Sequence, residues 1–333
     1  MTTLVQAVAV SLPPQRSVLQ SEIASAPQWR GVTEQPGASP GDMAIEAGRA
    51  ALAATGRAEN EVEWVVHTGS GLQAGIGWPM HHYVQHGIIG NHGNALEIKQ
   101  YCAGGLSSWL VASGLLSGDG VSICTGADNW SWGDRFITSR TTGGEPFSDV
   151  AHAVVLSRQS GFASILGAGS ASCPAQAEDW RTREYFWQET RLDDYRAAYT
   201  HAIQNRSESK SRQSVRMLGQ ALGVALDGAS IAPEHVDFFI PHASATGQPY
   251  RLLANAVGLP WSQSLYDHTL DCGYLGVSTQ AQGLIYLIES GQLFPGAVVV
   301  MLASEYQLSA TAVVVRIERV PVAIKSGRVT VVS

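Results

Sequence analysis

Two segments of the chain have the composition of helices that are apolar on nearly all sides. The first contains Leu106, Trp109, Leu110, Leu115 and Leu116, and the second contains Leu284, Ile285, Leu287 and Ile288. A surface helix shows a single apolar stripe, whereas a helix that is apolar all round is buried. Each segment is followed by a glycine turn and a short apolar run of strand type, at 121–127 and 298–304. The pattern predicts two helices that lie between layers of sheet.

The two helix–strand units belong to a longer internal duplication. Residues 50–70 and 225–244 share a helix end, an acidic loop and a short buried strand. Val62 and Val236 are 174 positions apart, and Gly118 and Gly291 are 173 positions apart. Any two β/α units look alike, which would explain the pattern but not the shared offset, so we interpret the matches as one repeat.

A duplicated pair of βαβαβ halves with buried central helices predicts an α/β fold of five layers, α/β/α/β/α. We place the N-terminal half at 1–170 and the C-terminal half at 171–333. The stretch at about 174–213 is rich in aromatic and charged residues and is predicted to be an inserted helical cap. The alternative is a surface excursion that packs its aromatic side chains on the body of the protein.

Composition and charge narrow the class of protein. A chain of 333 residues with 45% hydrophobic and 15% charged residues can bury a large core. Its net charge of −7 offers no basic surplus for phosphate backbones, so we expect no nucleic-acid partner. The start of the chain lacks a cationic leader, and apolar runs such as 297–303 are too short to cross a bilayer. These features predict a cytoplasmic protein without membrane contact.

Neither the cysteines nor the histidines are spaced as a metal site. The four cysteines are too widely spread for a disulfide framework or a zinc pattern, which indicates reduced thiols: Cys102, Cys124, Cys173 and Cys272. A cluster of histidines repeats no zinc motif and has no neighbouring carboxylate: His81, His82, His86 and His92. We therefore expect no metal and no bound cofactor, and of the cysteines only Cys102 is placed for chemistry.

Cys102 follows a predicted strand at 95–101 and stands where the first buried helix is expected to begin. The amide groups at a helix start stabilise a thiolate, so this position should lower the pKa of the thiol. Gly104 and Gly105 are expected to leave room for a substrate carbonyl, and the Cys102 amide can face a developing oxyanion. A lone cysteine is more often an inert core residue, but the strand-to-helix junction favours a nucleophile.

A general base is expected from the matching strand end of the second half. The run Phe238–Ile240 leads through Pro241 to His242, which can accept a proton from a thiol or an acceptor hydroxyl. A histidine at a strand end is often only a satisfied polar residue, and His67 at the equivalent place in the first half is a candidate for that role. The duplicated register favours function for His242.

At these residues the chain resembles the β-ketoacyl-carrier-protein synthase III family of thiolase-like proteins, and more closely its acyltransferase offshoots from natural-product pathways. The run from Cys102 to Gly105 matches the nucleophile motif, and 239–242 matches the histidine motif. The segment 147–156 fits the family's FGDGAGAVVL run, and 41–66 resembles its first helix and strand. The resemblance implies a thiolase-like fold, a nucleophile at Cys102, a base at His242 and a homodimer.

The chain also departs from the family. Synthases place an asparagine after a glycine, where it pairs with the histidine, but this chain has Tyr274 after Gly273. The acyltransferase offshoots have an aspartate that orients the histidine, and here that position holds Thr279, whose hydroxyl brings no charge to stabilise an imidazolium. A glycine-rich segment near the end is replaced by 303–308. Loss of one oxyanion donor costs about 3 kcal/mol, so transfer to oxygen, nitrogen or sulfur is favoured over decarboxylative condensation.

Several other residues are candidates for the substrate site. Trp130 and Trp132 are predicted to shape an acyl or acceptor pocket, or else to form a dimer core. Tyr274 and Tyr306 stand in the altered segments and are expected to contact substrate. The glycine-rich loop 69–77 is interpreted as a loop on the substrate side, because Trp78 and Pro79 follow it in place of a helix.

The sequence therefore predicts an acyltransferase that works through an acyl-Cys102 intermediate, with Thr279 holding His242. An acyl-carrier protein or coenzyme A would deliver the thioester, and a small molecule or carrier protein would accept the acyl group. The basic stretch 206–216 would dock an acidic carrier protein, or is only a solvated helix start. The alternatives are a decarboxylating β-ketoacyl synthase and a non-catalytic partner subunit of a ketosynthase.

Overall fold

A computed structural model gives the fold of the chain and describes residues 2–23, 29–71, 73–75, 77–131, 133–142, 144–180, 201, 207–242, 248–305 and 308–333. Among these residues, no helix combines the length and the apolar content that a membrane span requires. The predicted cap at 174–213 lies mostly outside the described ranges. Of that segment the structure shows a 3₁₀ turn, Pro174–Trp180, and the start of a long helix at Glu208.

The strands of the described part form one continuous sheet and a small two-stranded ribbon. The ribbon consists of β2 (Gln15–Ser17) and β3 (Gly31–Thr33). The large sheet contains β1 (Leu4–Ser11), β4 (Val62–Thr68), β5 (Asn94–Ile98), β6 (Val121–Asp128), β7 (Val150–Ser157), β8 (Ala163–Ser172), β9 (Phe238–Ile240), β10 (Val298–Glu305), β11 (Ser309–Ile317), β12 (Ala323–Ser326) and β13 (Val329–Val332).

The first helix begins and ends with the capping residues of its sequence. The Ser39 hydroxyl accepts hydrogen bonds from the amides of Gly41 and Asp42, and Gly56 ends the helix with a φ of 69°. The helices are α1 (Pro40–Thr55), α2 (Met80–Ile89), α3 (Gly104–Leu115), α4 (Ile137–Thr142), α5 (Glu208–Ala229), α6 (Gln248–Val257), α7 (Tyr266–Cys272) and α8 (Thr279–Glu289).

The strand order is the same in the two halves. The first half runs β5-β4-β6-β7-β1, and the second half runs β9-β10-β11-β8. In each half the central pair is parallel, β4 with β6 and β9 with β10, and the next pairs are antiparallel. Ser264 makes a parallel bridge to Phe239, where the first half has the full strand β5. The halves join where β1 meets β8 over two residue pairs.

Three apolar clusters separate the layers as the five-layer prediction requires. The central cluster contains α3 and α8 residues between the two parts of the sheet, including the largely buried Trp109 and Leu287. A second cluster packs α1 and α2 on the outer face of the first half. A third packs α5 and α6 on the outer face of the second half. Because β8 runs across position 170 and pairs with β11, the structural halves divide before Ala163.

The segment between β5 and α3, which carries Cys102, differs in detail from the prediction. Strand β5 ends at Ile98, and Cys102 lies in a 3₁₀ turn, Tyr101–Ala103, that precedes α3. Tyr101 has a φ of 41°, a conformation that side chains other than glycine rarely adopt. A left-handed residue directly before Cys102 turns the chain sharply between the strand and the buried helix.

The glycines after Cys102 allow close packing of α3. A Cβ on Gly105 would lie 2.1 Å from the carbonyl oxygen of Val277 in the second half, and one on Gly104 would lie 2.0 Å from the hydroxyl oxygen of Thr68 in the first half. Gly105 therefore brings α3 against the loop before α8, and Gly104 brings it against the end of β4. Their role beside a substrate carbonyl stays a prediction.

We expect Gly105→Ala to lower the free energy of unfolding by about 1–3 kcal/mol, because the clash is with a backbone atom that cannot rotate away. Gly114→Ala on the same helix is the matched control, since nothing lies within 4 Å of its added Cβ. Replacing glycine by alanine inside a helix should stabilise that variant by up to about 1 kcal/mol. Urea unfolding measures both changes, and equal stability of the two variants would contradict this packing role.

Candidate active site

Cys102 is buried in an aromatic cluster. Its side chain is 7% exposed and belongs to a cluster with Trp29, Trp130, Ile137, Phe147, Tyr266, Leu270 and Tyr274. Burial raises the pKa of the Cys102 thiol to about 12, while hydrogen bonds from the hydroxyls of Ser70 and Tyr274 act in the opposite direction. The predicted lowering of this pKa by the helix start is therefore wrong, because desolvation of the thiolate outweighs it. The resting side chain is a neutral thiol.

Tyr274 brings the predicted nucleophile and base together. Its hydroxyl oxygen lies 3.1 Å from Nε2 of His242 and 3.4 Å from Nδ1. Tyr274 also packs in the same buried cluster as Cys102, and its hydroxyl is close enough to lower the pKa of the Cys102 thiol. Within the part of the chain that the structure describes, Tyr274 is thus the neighbour that Cys102 and His242 have in common.

His242 follows β9 from the second half and is neutral at physiological pH. Desolvation lowers the pKa of its imidazole to about 4, although part of the residue's surface stays exposed. The ring meets the Tyr274 ring edge-on, with centroids 5.1 Å apart, and lies 6.0 Å from the ring of Tyr250. A neutral imidazole has a free lone pair, so His242 can accept a proton.

Backbone pairing and ring packing hold Tyr274 in place. Its amide donates to the carbonyl of Pro146, and its carbonyl accepts from the amide of Ser148. Its ring packs edge-on against Phe147, whose other neighbour is Trp130, stacked on it at 4.1 Å between centroids. Tyr274 is 2% exposed, and burial raises the pKa of its phenol well above the usual value. The hydroxyl is therefore protonated and fixed in position.

The other predicted site residues have mixed outcomes. Trp130 lies in the aromatic cluster with Cys102. The Thr279 hydroxyl donates to the carbonyl of Gly276 at 3.1 Å, within its own turn, and the described contacts of His242 are with tyrosines instead. Trp132 and Tyr306 lie outside the described residues. The arrangement leaves Tyr274, and not Thr279, as the partner of the imidazole.

Asp128, at the end of β6, connects the loops that carry the two hydroxyls. Its Oδ1 accepts hydrogen bonds from the amides of Ser70, at 2.7 Å, and Gly71, at 2.8 Å. Its Oδ2 accepts from the amide of Val277 at 3.4 Å. Gly276, with a φ of 50°, permits this approach, because a Cβ there would lie 2.2 Å from Oδ2. Burial raises the pKa of the Asp128 carboxyl to about 6.

Ser70 is the second hydroxyl beside the nucleophile. It is 5% exposed, and its Oγ makes no hydrogen bond of ordinary length among the described residues. It nevertheless lies close enough to lower the pKa of both Cys102 and Asp128. The sequence assigned its loop to the substrate side without singling out Ser70 or Asp128, since only the folded chain shows that the ends of β4 and β6 meet at the thiol.

The other polar residues that the sequence singled out make structural contacts or lack the arrangement of a binding site. His67 is fully buried, and its Nδ1 pairs with the Thr125 hydroxyl at 3.0 Å, while its Nε2 has no hydrogen bond of ordinary length among the described residues. No group of histidine, cysteine or acidic side chains in the described ranges has the arrangement of a metal site. In the basic stretch, Lys210 contacts Asp179, and Arg212 pairs with Glu208 one helical turn away. These pairs favour the helix-start interpretation over a docking patch.

The chain has a curated relative at low identity. A β-ketoacyl-[acyl-carrier-protein] synthase III from Ruegeria sp. (strain TM1040) is 24% identical over 284 residues, which cover 82% of this chain and 83% of that protein. No protein-family model matches the chain.

Solved structures match over nearly the whole length. ChlB3, described as an acyltransferase, has a TM-score of 0.86 at 22% identity and covers 96% of this chain and 99% of its own. The chain has the fold of the synthase III enzymes. The 3-oxoacyl-[acyl-carrier-protein] synthase III of Aquifex aeolicus VF5 matches with a TM-score of 0.73 at 18% identity, covering 94% and 99% of the two chains. The priming β-ketosynthase of the R1128 polyketide pathway matches with a TM-score of 0.75 at 17% identity, covering 96% of this chain and 97% of its own.

These matches confirm the thiolase-like fold and the resemblance to the synthase III family that the nucleophile and histidine motifs predicted. The roles that the sequence predicted for individual residues of this synthase-III-like chain stay predictions. The geometry adds Tyr274, Ser70 and Asp128 to the residues of the candidate site.

We expect Asp128→Ala to lower the free energy of unfolding by about 3 kcal/mol or more, because three largely buried amides lose their acceptor at about 1–3 kcal/mol each. Asp128→Asn keeps an oxygen for the amides of Ser70 and Gly71 and should lose less. Urea unfolding at pH 7 measures both. If alanine and asparagine proved equally stable, the carboxyl group would not be what joins the two loops.

Proposed function

We propose that this protein is an acyltransferase that moves an acyl group from a carrier-protein or coenzyme A thioester, through Cys102, to an oxygen, nitrogen or sulfur acceptor. The observation that carries the proposal is Tyr274, whose hydroxyl lies 3.1 Å from Nε2 of His242 and whose side chain packs in the same buried cluster as Cys102. A thiol with a neutral base close by is the arrangement that nucleophilic catalysis requires.

In the first half-reaction, the Cys102 sulfur attacks the thioester carbonyl, and the thiol proton passes to His242. The tetrahedral intermediate then expels the donor thiolate, which takes the proton from the imidazolium and leaves as a thiol. The products are acyl-Cys102 and the free carrier thiol, and His242 is again neutral. The Cys102 amide, in the 3₁₀ turn before α3, would donate to the oxyanion.

In the second half-reaction, His242 takes the proton of the acceptor O–H, N–H or S–H group as that atom attacks the acyl-cysteine. Cys102 leaves as a thiolate and recovers the proton from the imidazolium. The base has to be neutral for both steps, which its lowered pKa supports.

Tyr274 also supports transfer over condensation. In the synthases that the chain resembles, an asparagine amide at this position pairs with the histidine beside a decarboxylating malonyl group. Here the position holds a phenol whose hydroxyl is hydrogen-bonded to His242. An enolate formed by decarboxylation would lack the amide donor, whereas acyl transfer needs only the base and the oxyanion site. ChlB3, whose structure this chain resembles, is described as an acyltransferase, and the proposal gives this chain the same activity.

The partners of the reaction are part of the proposal. Acyl-carrier protein or coenzyme A would deliver the acyl group, and the pathway would be one of natural-product biosynthesis in the cytoplasm. A homodimer is also proposed: β5 ends the described sheet, and its outer edge is available to a strand of a second copy.

Incubation of the wild type with a panel of acyl thioesters should add the mass of one acyl group in intact mass spectrometry, because Cys102 forms a covalent thioester. Cys102→Ala should show no adduct with the same donors. With labelled malonyl donor and acceptor, carbon dioxide should not be released in proportion to turnover. Stoichiometric release would favour the β-ketoacyl synthase, and the absence of any wild-type adduct would favour a non-catalytic partner subunit.

The pH dependence of adduct formation should report the lowered pKa of His242. Because the neutral imidazole is the active form, we expect the single-turnover rate at low donor concentration to stay level from pH 8 to about pH 5 and to fall below that. An ordinary histidine would lose half of the rate near pH 6.5. Rapid quenching followed by intact mass measurement gives the profile, and an acid limb near 6.5 would show that the ring is not desolvated.

A further inference from the structure

We propose that Tyr274 is a catalytic residue that conducts the thiol proton of Cys102 to Nε2 of His242. The inference rests on the proposed use of Cys102 as a nucleophile, and it assigns a role to the residue that stands where synthases have an asparagine. It differs from substrate binding, which is the role that the sequence alone suggested for Tyr274.

One phenol oxygen lies close to both groups that a relay has to connect. A phenol carries one proton and two lone pairs, so it can accept from a thiol while it donates to an imidazole nitrogen. The Tyr274 hydroxyl is 3.1 Å from Nε2 of His242, and Tyr274 packs in the same buried cluster as Cys102, whose thiol pKa its hydroxyl lowers. Among the described residues, no other hydrogen-bonded neighbour of His242 belongs to that cluster.

The protonation states make such a relay necessary. Burial keeps Cys102 as a thiol, with a pKa near 12, and keeps His242 neutral, with a pKa near 4. A thiolate–imidazolium pair is therefore not the resting form, and the proton has to leave while the sulfur bonds to carbon. Burial holds the pKa of Tyr274 well above its usual value, so the phenol passes one proton on as it receives another and is not a phenolate in between.

Every proton is accounted for in the acylation step. The bond from sulfur to the acyl carbon forms while the S–H proton moves to the Tyr274 oxygen and the phenol proton moves to Nε2 of His242. Collapse of the tetrahedral intermediate breaks the bond to the donor sulfur, which takes the proton from His242. Tyr274 ends as a phenol with the proton that began on Cys102.

A rival route runs through the other hydroxyl. The Ser70 hydroxyl is close enough to the Cys102 thiol and to the Asp128 carboxyl to lower the pKa of both. However, Asp128 accepts three backbone amides, and the Ser70 hydroxyl makes no hydrogen bond of ordinary length in the described structure. The Tyr274 hydroxyl, in contrast, is hydrogen-bonded to the base His242 at 3.1 Å.

Alkylation of Cys102 by iodoacetamide tests the relay without any acyl donor. Intact mass spectrometry gives the alkylation rate between pH 5.5 and pH 9 for the wild type, Tyr274→Phe, Ser70→Ala, His242→Ala and Tyr286→Phe. Tyr286 lies on α8, where its ring stacks on His268 at 3.7 Å, so its variant is the matched loss of a hydroxyl outside the site. Thermal melting of each variant checks that the fold is kept, which phenylalanine favours because it retains the ring packing at 274.

The relay predicts a specific pattern. The wild type, Ser70→Ala and Tyr286→Phe should react at a rate that is nearly independent of pH, since the thiol and the imidazole do not change protonation in this range. Tyr274→Phe should react at least roughly tenfold more slowly at pH 7, since a positioned base is worth about 10²–10⁴-fold. Its rate should rise about tenfold per pH unit, as for a thiol that depends on free thiolate. His242→Ala should behave in the same way. A double variant with Tyr274→Phe and His242→Ala should react no more slowly than either single variant.

Two outcomes would overturn the proposal. A folded Tyr274→Phe variant that keeps the level profile and the wild-type rate would mean that His242 takes the proton directly. An alkylation rate that rises with pH in Ser70→Ala but not in Tyr274→Phe would mean that the thiol proton passes through Ser70 to Asp128. The result is separate from that of the acyl-adduct experiment: a level alkylation profile with no adduct from any thioester would refute the acyltransferase and leave the relay standing.

Discussion

The residue on which the site depends is Tyr274, which packs in the cluster around the Cys102 thiol of the first half and is hydrogen-bonded to the His242 imidazole of the second. Burial decides how the contact works. A thiolate and an imidazolium both lose hydration here, so the two groups rest in neutral form and a fixed dipolar group has to connect them. An ion pair, which a helix start alone would favour at Cys102, is not what this environment stabilises.

The duplication places the site at the junction of the halves. Cys102 lies after β5 of the first half, and His242 lies after β9 of the second, whose strand order repeats that of the first. Asp128 joins the loop that carries Ser70 to the loop at Val277, close after Tyr274 in the chain. The glycines at 105 and 276 allow this close approach, because a side chain on either would collide with the opposite loop. The same packing that closes the core therefore sets the distance between the reacting groups.

Comparison with the synthases gives the substitution at position 274 a chemical meaning. An amide can stabilise an enolate by donating a hydrogen bond, but it has no proton to relay between a thiol and an imidazole. A phenol can accept and donate at once, and the aromatic cluster around Cys102 accommodates its ring. The aromatic neighbours Phe147 and Trp130 hold that ring in place, so the change at one position is supported by packing at two others.

The sequence by itself determined the layers and the repeat, because hydrophobic periodicity is a local signal and the offset between the halves can be counted along the chain. From its motifs it also predicted Cys102 as a nucleophile and His242 as a base. It also indicated that position 274 departs from the synthases. Only the tertiary structure decided the protonation states, the roles of Ser70 and Asp128, and the partner of His242, which is Tyr274 and not Thr279. Burial and hydrogen bonding between residues more than a hundred positions apart depend on how the halves meet, and no spacing along the chain encodes that distance.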